Sequence, residues 1–223
     1  MRYRAVVFDL DGTLLDTLED LANAMNAVLS RHGLVTHDLT AYKRMVGDGV
    51  RMLVTRALPD SLRREETITA VETKMRAEYA RRQLEHTRPY PGIPELLNAL
   101  ASKHIPMAIL SNKPHEATRA VVAALLSAWQ FDVVQGETPE TPRKPDPVGA
   151  LSIASRLGIP PEEFLYVGDT DTDMKTANRA GMLAVGALWG FRDREELLAH
   201  GARTLIETPL QLLECFDHPP SPA

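Results

Sequence analysis

The chain has 223 residues, 44% hydrophobic and 25% charged, with a formal net charge of −5 and a single cysteine. That length accommodates one large domain, or a domain with a modest insertion, around a sizeable core. The acidic balance argues against nucleic acid as the main partner, no apolar run approaches the ~18 residues of a membrane span, and Cys215, alone, forms no internal disulfide and is expected as buried packing in a reducing, cytoplasmic setting.

The first strand is expected to start near Tyr3, which leaves no room for a signal peptide. Val6, Val7 and Phe8 form a β-branched and aromatic run of the kind buried on both faces of a parallel sheet. The run ends in Asp9-Leu10-Asp11-Gly12-Thr13-Leu14-Leu15-Asp16. In extended geometry the carboxylates of Asp9 and Asp11 point the same way. Two like charges at the end of an apolar strand are costly without a cation or a function. Gly12 lets the chain turn and brings its amide close to a ligand.

From residue 17 to 88 the pattern turns helical. Thr17 is placed to cap a helix with Asp20 three residues later. Leu18, Leu21, Ala22, Met25, Val28, Leu29 and His32 then follow at helical spacing until Gly33. Further helical stretches are expected over about Val50 to Ala57 and Ser61 to Gln83. Between them, Val46-Gly47-Asp48-Gly49-Val50-Arg51 reads as a loop with accessible amides, and Arg44 and Arg51 carry guanidinium groups suited to a carboxylate.

The α/β pattern resumes with a helix over about Glu95 to Lys103 and a strand over Ile105 to Leu110, which ends in Ser111-Asn112-Lys113-Pro114. A hydroxyl and an amide at a strand-to-helix turn offer donors to an anion. A helix over Ala117 to Leu126 and a strand over Phe131 to Val134 come next. Lys144 then sits between two proline-bearing turns, just before a helix expected to be capped by Asp146 with Pro147 at its first position. Arg143 reads as a surface residue. The strand over Phe164 to Val167 runs into Gly168-Asp169-Thr170-Asp171-Thr172-Asp173, where alternate aspartates repel one another unless a cation sits among them. Oxygen-only ligands favour Mg²⁺. Asp169 and Asp173, four apart, are expected on one helix face, with Asp171 a solvated turn residue. A strand over Leu183 to Ala187, a last helix over about Leu210 to Phe216 and a disordered proline-bearing tail from residue 217 complete the chain.

Alternating strands and helices in this order predict a doubly wound parallel sheet, a Rossmann-like α/β core over residues 1–16 and 89–216, with an inserted all-helical cap over 17–88. The string Asp9 to Asp16, then Ser111, Lys144, and Asp169 with Asp173, resembles in order the motifs of the haloacid dehalogenase-like superfamily. That resemblance implies an Mg²⁺-dependent phosphatase acting on a small phosphate ester, with Asp9 the nucleophile that becomes phosphorylated and Asp11 the general acid/base. It further implies a phosphate site of Gly12, Ser111, Asn112 and Lys144, and metal ligands at Asp9, Asp11 and Asp169 supported by Asp173. The loop around Gly47, Gly49 and Arg51 resembles the cap loop of phosphoglycolate phosphatases, which implies 2-phosphoglycolate as substrate and a specificity role for those three residues. A phosphosugar mutase shares the core and cap class, though Thr13, where mutases commonly carry valine, tilts away from it. A pyrophosphatase or nucleotidase of the same superfamily stays open, whereas a receiver-type signalling domain is about half this length.

Overall fold

The computed structural model describes residues 3–217. Strand β1 (Ala5–Phe8) is followed by a two-residue strand β2 (Leu15–Asp16) and four helices: α1 (Leu18–Arg31), α2 (Leu39–Met45), α3 (Val50–Ala57) and α4 (Glu65–Arg82). The chain returns through β3 (Arg88–Pro89) and continues as α5 (Ile93–Ser102), β4 (Met107–Pro114), α6 (His115–Leu125), β5 (Val133–Glu137) and α7 (Val148–Leu157). It ends with β6 (Phe164–Gly168), α8 (Asp171–Ala180), β7 (Leu183–Ala187), α9 (Arg194–Ala199), β8 (Thr204–Ile206) and α10 (Leu212–Asp217).

Six strands form one parallel sheet in the order β5-β4-β1-β6-β7-β8. The chain runs outward from β1 on one side and returns to β6 on the other, so β1 lies at the switch point where such sheets bind ligands. The pleat of β1 explains its uniformly apolar sequence. Val6 and Phe8 enter the layer packed by Ile93, Leu97 and Leu100 of α5 and Phe216 of α10. Ala5 and Val7 enter the opposite layer with Ile153 of α7 and Met174 and Ala177 of α8. Cys215 is buried in the first of these layers.

Helices α1 to α4 bury an apolar cluster of their own, with Met25, Leu29, Tyr42, Leu53 and Met75 at its centre. Helix α2 was not predicted; Asp38 caps it by accepting from the Ala41 amide at 2.7 Å. The strand pair β2–β3 was not predicted either. It pairs Leu15 with Pro89 and Asp16 with Arg88, antiparallel, and so ties the outgoing and returning links of the insertion together. Two residues per strand carry too little periodicity to be seen in sequence.

The start of α1 differs from expectation. Thr17 makes no side-chain cap bond and its hydroxyl is buried without a partner among the described residues. Asp20 faces the returning link instead, accepting from the backbone amides of His86 and Thr87, at 3.0 Å and 2.9 Å, and from the Thr87 hydroxyl at 2.7 Å. Other shifts are local. Strand β4 runs on through Ser111-Asn112-Lys113, α7 begins one residue later than expected with Asp146 accepting from the Val148 amide at 2.9 Å, and α9 and β8 fill a stretch left without elements. Residues 218–223, most of the tail expected to be disordered, lie outside the described residues. No described helix is long and apolar enough to cross a membrane.

The buried Asp20 carboxylate generates a stability prediction. Burial raises its pKa, but hydrogen bonds from Thr87 and His86 outweigh burial and hold it below the usual carboxylate value. A depressed folded-state pKa stabilises the fold above the unfolded value near 3.9 and is lost as pH falls below it. Asp20→Ala should therefore lower unfolding free energy by about 2–4 kcal/mol at pH 7, read by urea denaturation, with a smaller difference near pH 3.

Candidate active site

The site is assembled at the carboxyl ends of β1, β4 and β6. Asp9 follows β1 directly, its amide bonded to the Val167 carbonyl of the neighbouring strand at 2.9 Å. Lys144 Nζ lies between two carboxylates, 2.8 Å from Asp9 Oδ1 and 2.7 Å from Asp173 Oδ1. Asp169 accepts from the Thr13 hydroxyl at 2.7 Å on Oδ1 and from the Phe191 amide at 2.8 Å on Oδ2. These four charged groups are at least nine-tenths buried.

Asp169 and Asp173 do not share a helix face. Asp169 lies in the loop before α8, and Asp173 is the third helical residue, closing a capping box with Thr170. They meet because the helix folds back over the strand end: a Cβ on Gly168 would lie 2.3 Å from Asp173 Cβ. Two further glycines make room for Asp169. Gly12 has φ +91°, and a side chain there would lie 2.3 Å from Asp169 Oδ2; at Gly190 it would lie 2.3 Å from Asp169 Cβ. Asp171 pairs with Lys175 at 2.6 Å, away from this cluster.

Burial pushes the Asp9 carboxyl well above its usual range, the Asp173 and Asp169 charges push it further, and Lys144 opposes them. Burial and Asp173 likewise raise Asp169 to about 7. Lys144 is held protonated, since Asp173 and Asp9 outweigh the effect of its burial. Ionised together, the three buried carboxylates carry more negative charge than the one ammonium offsets, and a cation among them favours that ionised state. The carboxylate oxygens of Asp9, Asp169 and Asp173 come within 4.8 Å of one another. An all-oxygen, anionic, enclosed donor set of this kind fits a hard divalent cation such as Mg²⁺.

Asp11 is expected among the metal ligands; its side chain lies outside that cluster of carboxylates. Its Oδ1 pairs instead with Lys113 Nζ at 2.6 Å. Ser111 is buried beside Asp9 and Asp11 on the wall of a cavity of about 340 Å³. Asn112 lines the same cavity, yet its side-chain amide is engaged by the backbone of residue 144, accepting from Lys144 N at 2.8 Å and donating to Lys144 O at 3.2 Å. These two bonds seat the backbone of Lys144. The opposite wall comes from the cap and includes Val46, Gly47, Gly49, Leu53 and Tyr79.

The glycine loop of the cap docks onto the core. Asp48 accepts from the Thr172 hydroxyl at 2.6 Å and pairs with Arg56, and the buried Arg192 guanidinium donates to the carbonyls of Lys43 and Val46. Arg51 points elsewhere. It is bound by Glu65 and by Glu72, the latter at 3.0 Å, and does not line the cavity. Arg44 is exposed. The geometric reason is helical phase: Gly47 and Gly49 reach the cavity as backbone, but Arg51, in the first turn of α3, projects toward α4. Thr13, Lys113, Phe191 and Arg192 were missed because each reads in sequence as an ordinary turn, strand or loop residue.

A family model described as haloacid dehalogenase-like hydrolase matches residues 6–187, a span that includes Asp9, Asp11, Ser111, Lys144, Asp169 and Asp173. The chain belongs to this family. It is 37% identical over 188 residues to a phosphoglycolate phosphatase of Aquifex aeolicus (strain VF5), covering 84% of this chain and 86% of the relative. It is 33% identical over 222 residues to an N-acetylmuramic acid 6-phosphate phosphatase of Pseudomonas aeruginosa, covering 97% and 96%. The fold superposes on a candidate phosphoglycolate phosphatase from Lactobacillus delbrueckii subsp. bulgaricus with a TM-score of 0.90 at 30% identity, covering 96% of this chain and 98% of the other. As a haloacid dehalogenase-like hydrolase it is an enzyme, and a phosphatase.

Two substitutions check this geometry. Gly12→Ala forces the turn against Asp169 and the Phe191 ring and should cost about tenfold or more in kcat/KM, measured with p-nitrophenyl phosphate. Arg51→Ala removes only cap ion pairs and should change kcat/KM on a carboxylate-bearing ester by less than about threefold.

Proposed function

We propose that the enzyme hydrolyses a small phosphate monoester through a phosphorylated Asp9, with 2-phosphoglycolate the favoured substrate. The observation that carries the phosphoryl-transfer reading is Asp9, Asp169, Asp173 and Lys144 buried together at the switch point, beside Asp11 and Ser111 on one cavity. A bound divalent cation supplies positive charge that favours ionised Asp9 and an incoming phosphate dianion. Asp9 attacks phosphorus as the ester bond breaks, and Asp11 delivers a proton to the leaving oxygen. Asp11 then takes a proton from the water that opens the aspartyl-phosphate. Lys144 offsets charge on the phosphoryl oxygens, and the Ser111 hydroxyl donates to one of them. The helices over the cavity exclude bulk water and restrict what enters.

The phosphoglycolate assignment rests on the names of the relatives and on cationic side chains in the cavity wall, Lys113 and Arg76. A second reading, a larger sugar phosphate, draws on the roughly 340 Å³ cavity with Leu21, Val50, Leu53 and Phe191 on its wall, more apolar surface than a two-carbon acid uses.

A rate survey over 2-phosphoglycolate, hexose and amino-sugar 6-phosphates, nucleoside monophosphates and pyrophosphate separates these readings; a preference for sugar phosphates of tenfold or more would replace the first by the second. Asp9→Asn should abolish turnover with an unchanged melting curve, and activity within about tenfold of wild type would remove Asp9 as nucleophile. Exhaustive chelation should remove activity, Mg²⁺ should restore it, and Ca²⁺, with its looser coordination, should inhibit.

A further inference from the structure

We propose that Lys113 is the residue that recognises a carboxylate on the leaving group, and thereby sets substrate class from the core and not from the cap; this rests on the phosphatase reading above. Lys113 belongs to the extension of β4 past Ser111, and its side chain is only 5% exposed. Its ammonium donates to Asp11 Oδ1 at 2.6 Å and to the Tyr79 hydroxyl of α4 at 3.1 Å, and stands 5.1 Å from the centre of the Tyr79 ring. An ammonium has three donors. The third finds no acceptor among the described residues, while Lys113 lines the cavity that also exposes Asp11.

Position decides what that donor meets. Asp11 serves the ester oxygen of the leaving group, so a cation 2.6 Å from the Asp11 carboxylate lies beside the first atoms beyond that oxygen. A carboxylate one carbon further along falls within its reach. The other cation on the wall is less suited: Arg76 is bound by Glu72 at 2.6 Å and 3.1 Å and sits on the cap. Tyr79, Pro114 and Ala117 line the cavity together with Lys113. A charged hydrogen bond there discriminates against a neutral analogue, because the third donor of the buried ammonium is left without an acceptor.

The test compares 2-phosphoglycolate with ethyl phosphate, which has a methyl group in place of the carboxylate, for wild type, Lys113→Gln and Lys113→Arg with Mg²⁺ present. The ratio of kcat/KM for the two esters should fall roughly thirtyfold or more in Lys113→Gln, chiefly through KM for 2-phosphoglycolate, and stay within about tenfold of wild type in Lys113→Arg. Any loss common to both esters reports the contact with Asp11 and cancels in the ratio. An unchanged ratio in Lys113→Gln overturns the proposal and leaves Lys113 a positioning residue for Asp11. Should that variant fail to fold, wild type suffices: glycolate should inhibit ethyl phosphate hydrolysis competitively and ethylene glycol should not, and equal effects overturn the proposal. The two readings fail separately. If wild type ignores 2-phosphoglycolate but prefers 3-phosphoglycerate over glycerol 3-phosphate, the two-carbon substrate falls, and loss of that preference in Lys113→Gln upholds the role of Lys113. A wild type that prefers no carboxylated ester overturns it.

Discussion

Three carboxylates, Asp9, Asp169 and Asp173, lie buried at the carboxyl edge of the sheet with one ammonium, Lys144, between two of them. Burying like charges this close is unfavourable unless each finds a partner. Much of the surrounding structure supplies those partners. Thr13 and the Phe191 amide occupy Asp169, the Thr170 amide and hydroxyl occupy Asp173, and the Asn112 side chain grips the backbone of Lys144 from both sides. The negative charge that these contacts leave unbalanced is what makes the cluster suited to a cation.

The same constraint explains where the glycines fall. Gly12, Gly168 and Gly190 each lie where a Cβ would come within 2.3 Å of Asp169 or Asp173. Strand end, helix start and return loop can close on the carboxylates only if those three residues carry no side chain. Phe191 extends the effect to the cap: its amide holds Asp169 while its ring packs in the cap cluster. Arg192, next in sequence, binds the carbonyls at the end of α2. Two adjacent residues thus join the buried carboxylates to the helices that cover them through one short loop.

The insertion depends on the core in a different way. It folds around its own apolar cluster, and its two links to the sheet are stitched by β2–β3 and by Asp20. The wall of the cavity is formed jointly by these helices and by the end of β4. Lys113 and Tyr79 meet on that wall from opposite sides.

The strands that carry the site were legible in sequence because they are buried on both faces and read as continuous apolar runs ending in polar clusters. Asp9 with Asp11, and Asp169 with Asp173, stood out because like charges clustered at a strand end are expensive without a cation or a function, whereas Ser111 and Lys144 stood out only because their order resembles the family's motifs. The separate helical character of residues 17–88 was legible from periodicity, except for α2, which is short and rests on a cap bond. What tertiary structure alone decided was pairing. Whether the Asp11 side chain joins the carboxylate cluster or turns to Lys113, whether the Asn112 side chain faces the cavity or the backbone of Lys144, and whether Arg51 enters the cavity or salt-bridges Glu65 and Glu72 depend on helical phase and on partners 14 to 102 residues away. The chemistry of a side chain is local and written in its residue type, whereas the partner that consumes its hydrogen bonds is chosen by packing.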